Sequence, residues 1–249
     1  MAEPIHPGTV RIGCAGWALR KEHAAEFPPE GTHLHRYAGR FPAVEINSSF
    51  YRPHKPATYE KWAASVPADF RFAVKVPKEV THTRRLAETE DVLDRFLPEA
   101  SALGAKLGPL LVQLPPRLAF DADVAESFFG ALRGRFEGSV VLEPRHATWF
   151  EGRAEQLMRE FRLTRVAADP AVVPAASEPG GWGGVIYYRL HGSPRVYHSA
   201  YGDAYLAGLA GKLAAAAKTA EVWCIFDNTA DGAATANALD TLGRVRADA

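Results

Sequence analysis

Eight short apolar runs recur along the chain, and seven of them finish on charged or amide side chains. Polar groups at the carboxyl ends of buried parallel strands are how a (β/α)8 barrel builds an active site. The pattern therefore predicts where a site lies, but not which reaction occurs there. The seven runs are VEIN at 44–47, FAVK at 72–75, LLVQ at 110–113, VVLEPRH at 140–146, VAAD at 166–169, YYRLH at 187–191 and CIFDN at 224–228, and the remaining run, VRIGCAGW at 10–17, ends on an aromatic residue.

The composition is that of an ordinary globular domain. Apolar residues make up 47% and charged residues 23% of the 249 residues, and no linker, charge block or change of composition divides the chain. We therefore expect a single domain over residues 1–249. There is no apolar stretch of roughly 18 residues, and the first residues lack the charged segment and apolar core of a signal peptide. We expect a cytoplasmic protein without membrane contact.

The charges balance, with 29 basic and 29 acidic residues. No overall field would attract nucleic acid or an anionic membrane, so an anionic ligand must be held by local groups. Cys14 and Cys224 lie within apolar runs and form no C-x-x-C spacing. They are expected to be buried thiols rather than parts of a zinc site or a disulfide framework.

Segments with helical spacing of apolar residues lie between the predicted strands. Pro56 suits a first helical turn, Asp121 or Asp123 suits an N-cap, and Pro98 implies a kink or two helical pieces. Strands that alternate with helices pair in parallel, and eight such units in about 250 residues match a closed (β/α)8 TIM barrel better than an open sheet. The helical segments are 56–66, 88–104, 121–136, 152–163, 203–220 and 231–245.

Three pairs of polar residues occupy alternate positions on a strand, so each pair shares one strand face. In a barrel that face is either the interior, which opens at the mouth, or the helix-packed outside, where burying charge is very costly. We therefore expect these residues at the mouth, with Glu45 and Glu143 facing each other across room for a ligand. The pairs are Glu45 and Asn47, Glu143 and Arg145, and Arg189 and His191.

The chain carries a series of motifs: GCAGW at 13–17, VEINSSFYRP at 44–53, FAVKVPKEVTH at 72–82 with Arg84, LGPLLVQLPP at 107–116, EPRHATWF at 143–150, Asp169-Pro170, YRLHG at 188–192, Tyr197 with Tyr201, and FDN at 226–228. In this order they resemble the YecE-like family, also called domain of unknown function seventy-two. The resemblance implies a TIM-barrel fold and a site at these residues, and it implies no particular reaction. Three positions depart from the family pattern: Cys14 stands where Thr or Ser is expected, Pro144 where Phe is usual, and Asp227 where Asn is common.

Four ionisable residues at strand ends are the predicted catalytic groups: Glu143, Glu45, His191 and Lys75. The two glutamates would exchange protons and His191 would assist as acid or base. Lys75 would act as a base, a Schiff-base nucleophile or an anion clamp. Purely structural ion pairs are the alternative, between Glu143 and Arg145 and between Lys75 and Glu45.

A further set of side chains is predicted to bind ligand, with Arg145 and Arg189 holding an anion together with Lys75. Amide members could instead satisfy loop or backbone groups, and charged members on loops could be solvated. The aromatic members would form a rim that stacks on sugars or bases, with packing under loops as the alternative. The set comprises Arg145, Arg189, Asn47, Gln113, His82, Arg84, His146, Asp169, Asn228, Trp17, Tyr51, Trp149, Tyr197 and Tyr201.

A divalent metal is an open alternative, because oxygen and nitrogen donors gather at the same mouth, as in xylose-isomerase-like and apurinic-endonuclease-like barrels. No H-x-H or H-E-x-x-H spacing is present, and Lys75, Arg145 and Arg189 would repel a multinuclear centre. We therefore expect no cofactor. GGWGG at 180–184 precedes the seventh strand and predicts a mobile connection rather than a phosphate loop. The possible metal ligands are Glu45, Glu143, His146, Asp169, His191 and Asp227.

Together these expectations predict an enzyme that acts on a small polar anionic ligand, such as a phosphorylated sugar or a nucleotide-like compound. Hydrolysis of a phosphoester or glycosidic bond is the first hypothesis, and a lyase or isomerase reaction is the next. Repair chemistry on abasic or damaged DNA, resembling that of endonuclease IV, would suit the aromatic rim but not the neutral charge. The third alternative is a ligand-binding barrel without turnover. The oligomeric state is not predicted.

Overall fold

The computed structural model describes residues 8–247, and these residues form a mixed α/β fold. Each of the eight apolar runs contains strand residues, and the sixth run, at 166–169, contains one short strand of three residues. The strands are β1 (Val10–Cys14), β2 (Ala43–Ile46), β3 (Arg71–Lys75), β4 (Leu107–Gln113), β5 (Val140–Glu143), β6 (Leu163–Arg165), β7 (Ala167–Asp169), β8 (Gly180–Gly181), β9 (Val185–Leu190) and β10 (Glu221–Phe226).

Helices follow most of the strands, as the alternating pattern predicts. Pro56 begins its helix, and the side chain of Asp121 caps another by accepting hydrogen bonds from the backbone N–H groups of Asp123 and Val124. Pro98 lies inside one continuous helix, so of the two expected outcomes, a kink or two helical pieces, the division into two pieces is wrong. The helices are α1 (His33–Ala38), α2 (Ser48–Tyr51), α3 (Pro56–Ala64), α4 (Glu90–Ser101), α5 (Ala122–Arg133), α6 (Gly152–Glu160), α7 (Asp203–Ala217) and α8 (Ala233–Ala247).

The strands pair into two sheets, and all pairs except that of β6 with β8 are parallel. The predicted parallel α/β architecture is therefore confirmed, but hydrogen bonding among the described strands does not close into one eight-stranded barrel. The strand orders are β1-β10-β9-β7 in one sheet and β2-β3-β4-β5-β6-β8 in the other.

The segment at the end of β1 links the two sheets. The backbone N–H of Ala15 donates to the carbonyl of Phe226, and Ala15 also forms a parallel bridge with Glu45. The backbones come close here, because a Cβ added at Gly13 would lie 2.0 Å from the carbonyl oxygen of Ala43. A glycine at this position therefore allows β1 to approach β2.

The other junction between the sheets lies at Val166, between β6 and β7. The Val166 N–H donates to Leu142 in β5, whereas β7 pairs with β9, so consecutive residues of the chain bind different sheets. The glycine-rich segment forms β8 on the free edge of β6, which corrects its prediction as a mere connection. Gly181 has a φ of +69°, and a Cβ there would lie 2.5 Å from the carbonyl oxygen of Leu163.

Alternate strand residues pack on opposite faces of the sheets. One face packs against the helices, and the other contributes to a smaller cluster that contains buried side chains from both sheets. Because members from both sheets are in contact in that cluster, the sheets face each other across it. The cluster contains Ala43, Ala73, Leu111, Val141, Val166, Val185, Tyr187, Trp223 and Ile225.

Within residues 8–247 no helix combines the length and apolar character that a membrane span requires. Cys14 and Cys224 are free, buried thiols on the paired strands β1 and β10, as predicted.

Candidate active site at the carboxyl ends of the strands

Arg189 on β9 is the centre of a buried ion network. Its side chain is fully buried, and its guanidinium lies 2.8 Å from Glu45, 3.1 Å from Glu143 and 2.9 Å from Asp227. Burial alone would lower the pKa of Arg189, but the three carboxylates raise it well above its usual range. Because the positive charge of Arg189 is compensated by these buried carboxylates, we infer that Arg189 holds them in place. This differs from the expected role as an anion clamp.

Glu45 on β2 lies below the mouth rather than at it. The residue is fully buried, and its two carboxylate oxygens accept hydrogen bonds from Arg189 and, at 2.8 Å, from the hydroxyl of Tyr187. These contacts position Glu45 as a counter-ion of Arg189, and both of its carboxylate oxygens already accept hydrogen bonds within the protein.

Glu143 ends β5 and accepts hydrogen bonds from several directions. The amide of Gln113 and the Nε of Arg145 each donate to its Oε1 at 3.0 Å, and Oε1 also lies 2.9 Å from His191 Nε2. Burial alone would raise the pKa of Glu143, but His191, Arg189 and Arg145 lower it well below its usual range. Glu143 is therefore an ionised carboxylate at neutral pH.

His191 follows β9 and lies between two carboxylates. Its Nδ1 is 3.0 Å from Asp227 and its Nε2 is 2.9 Å from Glu143. Burial alone would lower the pKa of His191, but the charge of Glu143 and the hydrogen bonds to both carboxylates raise it. An imidazolium, which carries a proton on each ring nitrogen, is the form that satisfies both contacts.

Arg145 connects this network to solvent. Its Nε lies 3.0 Å from Glu143 and its Nη2 lies 3.2 Å from His191 Nε2, while 22% of its side chain remains exposed. Burial alone would lower the pKa of Arg145, but the nearby Glu143 and the hydroxyl of Tyr197 raise it. Arg145 is thus a permanent cation that a ligand can reach.

Lys75 ends β3 at the edge of the same network. The residue is 7% exposed, and its Nζ lies 4.1 Å from the centre of the Phe50 ring. Burial, followed by the charge of Arg189, lowers the pKa of Lys75 from 10.5 to about 8. Among residues 8–247, its amine forms no hydrogen bond or ion pair, so the alternative pairing with Glu45 is not formed.

The cluster carries one positive charge in excess when Lys75 and His191 are protonated. Each cation except Lys75 lies within hydrogen-bond distance of a carboxylate. The excess therefore lies with Lys75, and a monoanionic ligand would neutralise it. The cations are Lys75, Arg145, Arg189 and His191, and the carboxylates are Glu45, Glu143 and Asp227.

A cavity of about 170 Å³ opens beside the network, between loops that follow four strands. Glu143, Arg145 and His191 form its polar wall, and proline, valine and alanine side chains form the remainder. A few placed polar groups in a mostly apolar cleft are the usual form of a small-molecule site.

Two more of the expected residues lie near Lys75. The ring of His82 packs edge-on against Phe50 at 5.0 Å, and its pKa is lowered by burial and by the charges of Lys75, Lys78 and Arg145. Asn47 has a buried side-chain oxygen without a hydrogen-bond partner. An unpaired buried acceptor is costly, so the Asn47 side chain could accept a hydrogen bond from a ligand.

Three expected ligand-binding residues have structural contacts instead. Arg84 forms ion pairs with Glu79 at 2.7 Å and Asp91 at 2.6 Å on the surface. His146 caps a short helical turn by accepting from the backbone N–H of Thr148. Trp149 is 1% exposed and donates to the carbonyl of a loop residue, Leu118, so it lies in the core rather than on a rim.

The loop that follows β9 is fastened by three further members of the expected set. The hydroxyl of Tyr201 donates to Asp169 at 2.8 Å and accepts from the N–H of Gly192 at 2.8 Å. The side-chain amide of Asn228 donates to the carbonyl of Ser199 and to Asn237. These contacts position the backbone beside His191, and the buried Tyr201 is not part of an aromatic rim.

The remaining aromatic residues are spread around the mouth. Tyr197 is 40% exposed and its ring lies 5.7 Å from that of His191, whereas Tyr51 is 77% exposed. Trp17 packs edge-on against Trp62 at 5.1 Å. The structure therefore brings Tyr197 to the site but does not assemble one continuous aromatic surface from the expected set.

Asp227 and Tyr187 are the network members that the predicted site set lacks. The sequence contained a signal for each residue. The alternation of side chains along a strand places Tyr187 on the same face as Arg189 and His191. The same rule places Asp227 on the face of the buried Trp223 and Ile225.

No group of three or more His, Cys, Asp or Glu side chains within the described residues is arranged to hold a metal ion. Of the carboxylates that were possible ligands, Glu45, Glu143 and Asp227 bind Arg189 or His191, and Asp169 accepts a hydrogen bond from Tyr201.

Comparison with known sequences connects the chain to a family. Residues 11–249 match the family model described as "Protein of unknown function DUF72". The UPF0759 protein YecE of Escherichia coli is 32% identical over 154 residues, which are 58% of this chain and 55% of the relative. The UPF0759 protein YunF of Bacillus subtilis is 30% identical over 116 residues, 43% of this chain and 40% of the relative. The chain spans about half the length of the curated relatives it matches.

Solved structures share the fold. A DUF72 family protein of Enterococcus faecalis superposes with a TM-score of 0.80 at 22% identity, covering 96% of both chains. A DUF72 family protein of Thermotoga maritima superposes with a TM-score of 0.74 at 21% identity, covering 96% of this chain and 99% of the other. The 3-keto-D-glucoside 4-epimerase YcjR of Escherichia coli superposes with a TM-score of 0.53 at 16% identity, covering 96% of this chain and 100% of the other. At these identities the likeness is one of fold.

Proposed function

This chain belongs to the DUF72 family, and on that premise we propose that it is an enzyme that binds a small polar anionic ligand at the carboxyl ends of its strands and transfers protons there. The observation that carries the proposal is Lys75, a nearly buried amine that has no ion pair with any described residue and lies beside a fully paired ion network. Such a group is costly to keep, and groups with perturbed pKa values cluster at functional sites.

A barrel architecture underlies the proposal. The two sheets would form the wall of one (β/α)8 barrel, with the mixed cluster of buried side chains as its interior. Supporting observations are the bridge between Ala15 and Glu45 at one junction and the backbone hydrogen bond from Val166 to Leu142 at the other. In that architecture the network lies in the usual position of an active site.

Arg145 is the proposed anion-binding group. It is permanently charged and partly exposed, and Glu143 together with the nearby His191 fixes its orientation. A guanidinium held in this way loses little side-chain entropy when it binds a carboxylate or phosphate. Arg189 would act indirectly, by keeping Glu143 and Asp227 in place.

Lys75 is the proposed acid or base, because its pKa of about 8 lies near neutral pH. His191 would stabilise negative charge that develops on the ligand, or return a proton to it, as an imidazolium within reach of the cavity. This arrangement supports proton transfer, as in an isomerase or lyase, more than the hydrolysis first expected. Glycoside hydrolysis needs a protonated carboxylic acid, and the arginines and His191 keep Glu143 ionised.

The alternatives have less support. Action on damaged DNA depended on an aromatic rim, and the burial of Trp149 and Tyr201 removes two of its members. A barrel that binds ligand without turnover shares the same anion site and differs only in lacking proton transfer at Lys75.

The test is proton NMR in deuterated buffer with a panel of small carboxylates and sugar phosphates. The expected result is exchange of a carbon-bound proton, or rearrangement, of a panel compound by the wild type. The reaction should be lost in Lys75→Met and retained in Lys78→Met, which changes an exposed lysine three residues away. Equal turnover by Lys75→Met would disprove the role of Lys75, and binding without any turnover would favour the non-catalytic alternative.

A further inference from the structure

We infer that the ligand is a small carboxylate with a compact apolar body, about the size of benzoate, rather than a phosphorylated sugar. This inference rests on the proposed function, because it places the carboxylate on Arg145.

The walls of the cavity favour an apolar ligand body. Apart from the polar wall, the cavity is lined by three prolines from different loops, Pro116, Pro144 and Pro170, and by Val172 and Val196. None of these side chains can donate or accept a hydrogen bond. The hydroxyl groups of a sugar would lose their water here without gaining partners, which costs free energy for each group.

The size of the cavity agrees with this chemistry. Its volume of about 170 Å³ is close to that of an apolar protein cavity of about 150 Å³ that accepts benzene. A sugar phosphate or nucleotide would extend well beyond the space beside Arg145 and His191.

The charged end of the cavity favours a carboxylate. Arg145 and His191 are the cationic side chains among the lining residues, and Glu143, the lining carboxylate, is already bound to both. A planar guanidinium matches the two oxygens of a carboxylate.

Exposed valines on the rim are a second, independent observation. Val172 is 51% exposed and Val196 is 38% exposed, and they are two of the five large apolar side chains that are most exposed within residues 8–247. Both line this one cavity. A ligand with an apolar body would cover them, which accounts for apolar surface at a site otherwise rich in charge.

The experiment compares three probes, benzoate, inorganic phosphate and benzyl alcohol, by calorimetric titration of the wild type and three variants. Arg145→Met removes the cation, and Val172→Glu places a charge on the apolar wall. Ala207→Glu is the matched control, since Ala207 is exposed on α7 and does not line the cavity. Circular dichroism and unfolding curves check that each variant folds, which is expected for Val172→Glu because Val172 is exposed.

Benzoate should bind the wild type at least about tenfold more tightly than either other probe, and Arg145→Met and Val172→Glu should each weaken it by about tenfold or more. Ala207→Glu should bind like the wild type. A different outcome is that phosphate binds as tightly as benzoate, with an affinity that falls in Arg145→Met but not in Val172→Glu. That result would show that the inference is wrong and that the anion site of the proposed function is correct. If no probe binds in a manner that depends on Arg145, the anion site of the proposed function is wrong as well.

Discussion

The Nε2 atom of His191 lies 2.9 Å from Oε1 of Glu143, and this contact joins the end of β9 to the end of β5 across the site. The charge of Glu143 and the hydrogen bonds to both carboxylates raise the pKa of His191, and His191 in turn lowers the pKa of Glu143. The pKa of Asp227 is lowered by the charge of Arg189 and then by its hydrogen bond to His191.

The first prediction concerns the pH dependence that His191 gives to stability. Its pKa is raised in the folded protein, so its contribution is fully present below the unfolded value of about 6.5 and is lost as pH rises through the folded value. The destabilisation caused by His191→Gln, measured by urea unfolding, should therefore shrink as the pH rises above about 6.5. His33→Gln, at an exposed position on α1, is the control. A cost of His191→Gln that grows with pH would contradict the assignment.

The second prediction concerns the charge balance around Arg189. Arg189→Met would leave Glu45, Glu143 and Asp227 buried without their shared counter-ion. We expect a loss of about 3–5 kcal/mol in the free energy of unfolding, measured with urea. Arg153→Met removes an arginine that is 46% exposed, and it should change stability little. A similar small effect for both variants would show that Arg189 does not hold the network together.

The third prediction concerns the cost of burying Lys75. Lowering its pKa from 10.5 to about 8 corresponds to roughly 3 kcal/mol that the folded protein loses by keeping this amine charged. Lys75→Met should therefore stabilise the protein at pH 7, by at most roughly 3 kcal/mol. The unfolded chain binds the proton more tightly than the folded protein, so stability of the wild type rises with pH between about 8 and 10.5 and the advantage of Lys75→Met shrinks there. Destabilisation by Lys75→Met at pH 7 would mean that the amine has a stabilising partner.

The fourth prediction tests the junction between the two sheets. A Cβ at Gly13 would meet the carbonyl oxygen of Ala43 at 2.0 Å, so Gly13→Ala must push β1 away from β2. We expect a loss of about 1–3 kcal/mol in thermal or urea unfolding. Gly130→Ala on α5 is the control, because its Cβ would have ordinary contacts and alanine favours a helix. Equal stability of both variants would mean that the two strands are not in this close contact.

Much of the site could be predicted from strand periodicity. The two-residue spacing of Glu143 with Arg145, and of Arg189 with His191, correctly placed each pair on one face, and the structure brings all four together. This works because the alternation of side chains along a strand is a local property of the backbone.

What the sequence did not reveal depends on distant contacts. Spacing alone did not show that Arg189 is satisfied by three carboxylates from other strands, nor that Trp149 turns into the core after β5. At Val166 the chain changes its hydrogen-bonding partner from β5 to β9, and this change depends on which strand is the spatial neighbour, which no local sequence pattern encodes. Loop residues were the least predictable, because their faces follow no fixed period.

The titration of Lys75 tests the proposed acid–base site most directly. Heteronuclear NMR of protein labelled at lysine would follow the Cε–Hε signal of Lys75 from about pH 6 to pH 11, with Lys75→Met identifying the signal. We expect a midpoint of about 8, caused by burial and by the charge of Arg189. A midpoint at the ordinary lysine value of 10.5 would show that the amine is solvated, and it would contradict the proposal that Lys75 exchanges protons with a ligand near neutral pH.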